Sequence, residues 1–82
     1  MERYIAHYWG IKKIERIQIE KETDKSYWVK GRKRKKYTNS EKIFETYAEA
    51  KDFIINEQLK KIEAIKSQLA YLENELEKIK QL

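Results

Sequence analysis

The chain has 82 residues, with 19 Lys/Arg against 14 Asp/Glu and no Cys. That length allows one domain, and without thiols neither disulfides nor a Cys-ligated metal can staple it. No apolar run nears the roughly 20 residues of a membrane span, and Met1-Glu2-Arg3-Tyr4 lacks the basic-then-apolar order of a secretory signal, so the sequence predicts a soluble, cytoplasmic protein.

Tyr4-Ile5-Ala6-His7-Tyr8-Trp9 is aromatic and β-branched, and reads as a strand ended at Gly10. Ile17 and Ile19 alternate with Arg16, Gln18 and Glu20, as in a strand with one buried face. Ile14 is out of phase, and a bulge near Glu15 would return it to that face. Glu22-Thr23-Asp24-Lys25 reads as a polar turn and Ser26–Lys30 as a third strand.

Gly31 then turns the chain into Arg32-Lys33-Arg34-Lys35-Lys36-Tyr37. A two-residue turn would pair Lys30 with Lys33 and set Tyr27 against Lys36. A three-residue loop, Gly31 to Lys33, would pair Lys30 with Arg34, Trp28 with Lys36 and Tyr27 with Tyr37. The second register is preferred, because it gathers Tyr27, Val29 and Tyr37 on one face. It places Trp28, Lys30, Arg34 and Lys36 on the other. Asn39–Lys42 reads as a connector, with Ile43 and Phe44 tucked under the sheet edge.

Thr46-Tyr47-Ala48-Glu49 matches a capping box. Beyond it there is no Gly or Pro, and the composition predicts one helix to the end, roughly 50 Å long. Its early stripe of Tyr47, Ala50, Ile54 and Gln58, with Ile55 and Leu59 alongside, suits packing on the sheet. The far half follows a heptad. Ile55, Ile62, Leu69 and Leu76 occupy one core position, and Ile65, Leu72 and Ile79 the other, with Gln58 the polar exception. This stripe predicts an oligomer, at least a dimer. The competing reading folds it back on its own domain.

The expected fold is therefore α+β: a three- to four-stranded antiparallel sheet on one long C-terminal helix with coiled-coil-like dimerisation. It is a single domain over 1–82, with the basic sheet in 1–45, the helix in 46–82 and the oligomerisation half in 55–82. Residues 1–40 hold 12 Lys/Arg against 5 Asp/Glu, while 41–82 hold 7 against 9. An anionic partner, nucleotide or nucleic acid, should meet the first half. The candidate ligand residues are Trp28, Lys30, Arg32, Arg34, Lys36 and Tyr37. Arg forks onto phosphate oxygens, and the aromatics stack on base or ribose. The bland alternative is an edge hairpin whose lysines only prevent aggregation.

No cofactor, metal site or catalytic residue is signposted. His7 is the only histidine and reads as a strand residue with a local hydrogen bond. Glu73, Glu75 and Glu77 read as a solvated helix flank. No glycine loop can cradle phosphate. The chain is expected not to be an enzyme.

The order Trp9-x4-Ile14 through Ile17, Glu22-Thr23-x-x-Ser26-x-Trp28-Val29, a basic Gly-Arg turn, and Phe44-x-Thr46-x-x-Glu49-Ala50 before a long Glu/Lys/Leu helix resembles small phage-encoded counter-defence proteins. The layout is similar to the anti-Thoeris sponges, and other anti-defence proteins, including anti-CRISPR inhibitors, share this size and style. The resemblance implies an oligomer in the host cytoplasm that sequesters a cyclic ADP-ribose-like signal without turning it over.

Overall fold

The computed structural model describes residues 1–82. Strands β1 (Glu2–His7), β2 (Lys13–Gln18), β3 (Lys21–Glu22), β4 (Ser26–Val29), β5 (Arg32–Lys35) and β6 (Glu41–Phe44) precede helix α1 (Tyr47–Lys80). The class is α+β, as expected, but the sheet is divided. Two three-stranded antiparallel sheets have the orders β2-β1-β6 and β3-β4-β5.

Backbone hydrogen bonds join the two sheets on both sides. Beyond β2, the Ile19 amide donates to the Met1 carbonyl at 2.7 Å and Glu20 N–H to Trp28 O at 2.9 Å. Beyond β5, Lys36 N–H donates to Lys25 O at 2.9 Å and Ile43 N–H to Lys36 O at 3.0 Å, next to a Tyr37–Lys42 bridge. The strands thus run in a ring, β1 to β2/β3 to β4 to β5 to β6 and back to β1, which leaves little free edge. The core is thin, with Ile5, Ile19 and Tyr27 buried between the sheets and Ala6 of β1 and Ala50 of the helix fully buried.

The sequence expectations fail in four places. Pairing of β1 with β2 is unbroken from Glu2–Gln18 to His7–Lys13, so no bulge forms at Glu15. Ile14 therefore shares the helix-side face with Ala6 and Arg16, and Ile17 takes the opposite face. Both faces are covered in part, so no bulge is needed. Second, Glu22 belongs to β3, and the turn shrinks to Thr23–Lys25, closed by Thr23 N–H to Ser26 O at 2.8 Å. Third, Glu41–Phe44 is not a connector with a tucked tail but the strand that pairs with β1.

Fourth, the hairpin takes neither anticipated register. Its turn is Lys30-Gly31, so Val29 pairs with Arg32, Trp28 with Lys33, Tyr27 with Arg34 and Ser26 with Lys35. Both turn residues have positive φ, 51° at Lys30 and 75° at Gly31, as a type I′ turn requires to follow the strand twist. Glycine takes this conformation freely and lysine does not. Lys30→Asn is expected to stabilise the fold by about 0.5–1 kcal/mol, read as a higher urea midpoint at unchanged slope.

Helix α1 starts where the capping box places it. The Thr46 hydroxyl accepts from Glu49 N–H at 3.2 Å, and it donates to the Glu49 carboxylate at 2.9 Å. The sheet-facing stripe is Tyr47, Ala50 and Phe53. Tyr47 meets Tyr4 edge-on at 6.1 Å, and Phe53 meets Tyr8 at 5.1 Å and Phe44 at 5.3 Å. Ile55 and Leu59, expected on the sheet, are about half exposed. The helix outruns the sheets, giving extents of 66 × 21 × 21 Å and a radius of gyration of 19.1 Å. A compact chain of this length would give about 12 Å. No helix is long and apolar enough to cross a membrane.

Candidate anion-binding surface

Alternation along β3, β4 and β5 sorts the basic hairpin onto two faces. The outward face carries the row Lys21, Trp28, Lys33 and, one step along, Ser26 beside Lys35. The Lys21 ammonium lies 4.5 Å and the Lys33 ammonium 5.7 Å from the Trp28 ring centre, so the half-buried indole is flanked by two cations. Asp24, Lys25, Ser26, Lys35, Lys36 and Tyr37 then enclose an open recess of about 500 Å³. That volume lies in the range of small-ligand sites. Tyr37 closes its far end, 56% exposed, with Lys42 Nζ 4.8 Å from its ring centre. Behind it Tyr8 and Phe53 stand edge-on at 6.4 and 6.1 Å, which fixes the ring. The Tyr8 hydroxyl donates to Thr38 O, and burial raises the pKa of that phenol.

The inward face is different. Lys36 Nζ sits 3.1 Å from Glu22, whose other oxygen accepts from Arg3 Nη2 at 2.6 Å. The hydrogen bond from Arg3, aided by Lys36, holds the Glu22 carboxyl below its ordinary 4.5. A depressed carboxylate pKa adds stability above the unfolded value, and that stability is lost as pH falls through the folded value. Urea midpoints should therefore fall as the pH drops below about 4.5. Glu22→Gln is expected to lower stability at neutral pH and to remove part of that drop.

Arg34 faces Tyr27, whose phenol pKa is raised by burial and partly offset by Arg34. Arg32 lies opposite Val29. The groove that Arg34 and Lys30 line also contains Glu15 and Glu20, so its charge is mixed. Glu20 accepts from Gly31 N–H at 2.7 Å and pins the hairpin tip. His7 is held across strands, not locally, by Glu15 at 3.1 Å and Glu41 at 3.6 Å.

The six residues expected to act together are thus divided. Trp28 and Tyr37 both lie on the outward side, but Lys33, opposite Trp28, is four residues from Tyr37, about 13 Å along the strand. Lys30 and Arg32 sit at the tip, Arg34 faces inward, and Lys36 lines the recess but turns its ammonium to Glu22. The strip that does form adds Lys21, Lys25 and Lys42, and takes Lys33 and Lys35 from the basic run, which were not among the six expected ligand residues. Their signal was the parity of the strands, unreadable until the turn length is known. Phe53 was also missed, although it stands three residues after Ala50 on the sheet-facing stripe. Set against family models, curated proteins and solved structures, the chain finds no match.

Proposed function

We propose that this is a non-enzymatic binding protein that captures a phosphate-bearing nucleotide on the outward strip. The observation that carries this reading is the open recess lined by Lys25, Lys35, Lys36 and Tyr37, with Trp28 and its flanking Lys21 and Lys33 farther along the same side. Ammonium groups meet phosphates as point charges, and the aromatic faces take base or ribose. Of the grip expected from sequence, Arg32 sits at the hairpin tip, Arg34 faces Tyr27 and Lys36 is ion-paired with Glu22. Self-association through the exposed helix stripe would make the protein multivalent. With the resemblance in sequence pattern, the role is phage-type counter-defence: sequestering a cyclic ADP-ribose-like signal.

Calorimetry with cyclic ADP-ribose and related nucleotides tests this. Stoichiometric binding, with ligand recovered intact after denaturation, is expected, and recovery of a cleaved product would sink the reading. A second reading is favoured by the openness of the strip: a nucleic acid, or a nucleic-acid-handling complex, as for an anti-CRISPR inhibitor. That reading demands affinity falling steeply with log salt concentration, in proportion to the phosphates neutralised.

A further inference from the structure

Past the sheets, α1 carries an apolar stripe that nothing in its own chain covers. Ile65, Leu69, Leu72, Leu76 and Ile79 are each more than half exposed, and Ile62 is 39% exposed. So continuous a patch is foreign to a monomer. The stripe is self-complementary, because its two core positions alternate by three and four residues, which is the seam of paired helices.

We infer that a second copy of this chain covers the stripe in the antiparallel direction, with the partner's Leu72 packed against Leu69. This deepens the self-association part of the function proposed above and does not depend on the ligand. In this register Ile62 faces the partner's Ile79, and Ile65 the partner's Leu76. All the layers are apolar, and Gln58 stays outside them.

Three independent features select this direction. The first is the flanking charge. Antiparallel pairing sets Lys66 beside the partner's Glu73, twice by symmetry, and opposes no like charges. Glu73 has no ion pair in its own chain, and Lys66 has only a loose one, 3.8 Å to Glu63. A parallel, in-register pair would instead set Lys61 against the partner's Lys66, a repulsion that offsets what it gains from Glu75 beside the partner's Lys80. The second is the layer at Gln58, which a parallel pair would bury against its own copy, leaving amides to satisfy in an apolar seam. The third is the basic half. Residues 1–40 carry a surplus of seven positive charges, and parallel helices would bring two such heads together. Antiparallel helices hold them about 60 Å apart, many times the screening length of roughly 8–10 Å, and oppose the helix dipoles favourably.

The sheets leave room for this partner. Their reach along α1 ends near Lys61, whose ammonium lies 5.6 Å from the Trp9 ring centre. The paired segment begins at Ile62. The consequence for binding is two separate outward strips, one at each end of a rod, and no pocket shared between heads.

The chain has no cysteine, so a single spin label can be placed cleanly. With Lys60→Cys labelled on the full chain, sedimentation should show a dimer. Pulsed dipolar spectroscopy should give a label separation of roughly 30 Å or more, the axial offset of 21 residues. A separation below about 30 Å, shorter than that axial offset, marks parallel helices, spaced by roughly 8–10 Å with the labels on their outer faces, and overturns the direction alone. A monomer at about 100 µM, or a trimer, overturns the second-copy pairing itself, and the monomer removes the self-association part of the function reading too. Neither outcome touches nucleotide binding, which calorimetry reads separately. Charge exchange gives an answer of opposite sign for the two directions. Lys66→Glu should weaken the antiparallel dimer at least threefold, with recovery when Glu73→Lys is added, whereas in a parallel dimer Lys66→Glu alone would tighten association. Circular dichroism of each variant reports any change in helix content.

Discussion

Tyr27→Ala is expected to unfold both sheets at room temperature. Tyr27 is 1% exposed and is the largest fully buried side chain. It stands on the inward face of β4, between Glu22 of β3 on one side and Arg34 of β5 on the other. Removing a buried aromatic ring costs about 3–5 kcal/mol. Domains are stable by only about 5–15 kcal/mol, and one of this size sits toward the low end. Only five residues of the chain are buried, so no second cluster can compensate. The loss should appear as missing near-ultraviolet dichroism and a red-shifted Trp28 emission, while far-ultraviolet helix signal persists in part. Tyr27→Phe keeps the ring and loses only the hydroxyl, so it should cost about 1 kcal/mol. Equal losses in the two variants would show that the ring is not what holds the sheets together.

The second large effect belongs to binding. Lys25→Glu combined with Lys35→Glu should weaken nucleotide binding at least about 100-fold, because each reversal removes a charge-assisted contact worth about 1.5–3 kcal/mol and adds repulsion. Both side chains line the outward recess, and neither is tied to a carboxylate in the fold. The melting transition should therefore stay close to that of the unaltered protein. Lys36→Glu should differ in its effect on the fold. Lys36 serves Glu22, so its reversal places like charges 3.1 Å apart and lowers stability as well as affinity. Calorimetric affinities and urea midpoints on the three proteins separate the two roles. Undiminished binding by the Lys25/Lys35 variant would move the site off this strip.

How these residues came to their positions shows how far the sequence could be read. The helix from Tyr47, its Thr46 cap and its heptad stripe were legible, because capping and a 3.5-residue period are local properties of the chain. Trp28 and the run of cations were visible as chemistry but not as geometry. A change of one residue in a turn inverts every side chain that follows, so Lys33 and Lys35 cannot be told from Arg34 and Lys36 by composition. The I′ turn at Lys30-Gly31 carries no sequence signal, because its first residue is lysine, where asparagine or glycine is usual.

By itself, the sequence determined an α+β chain, a basic first half, a capped helix and an apolar stripe along that helix. Only the tertiary structure decided that the strands close on themselves, that Arg3 and Lys36 meet over Glu22, and that a recess forms between Lys25 and Tyr37. The physical reason is distance along the chain. Period, propensity and capping act over one or two turns, whereas Arg3 and Glu22 are 19 residues apart and meet only when two sheets fold together.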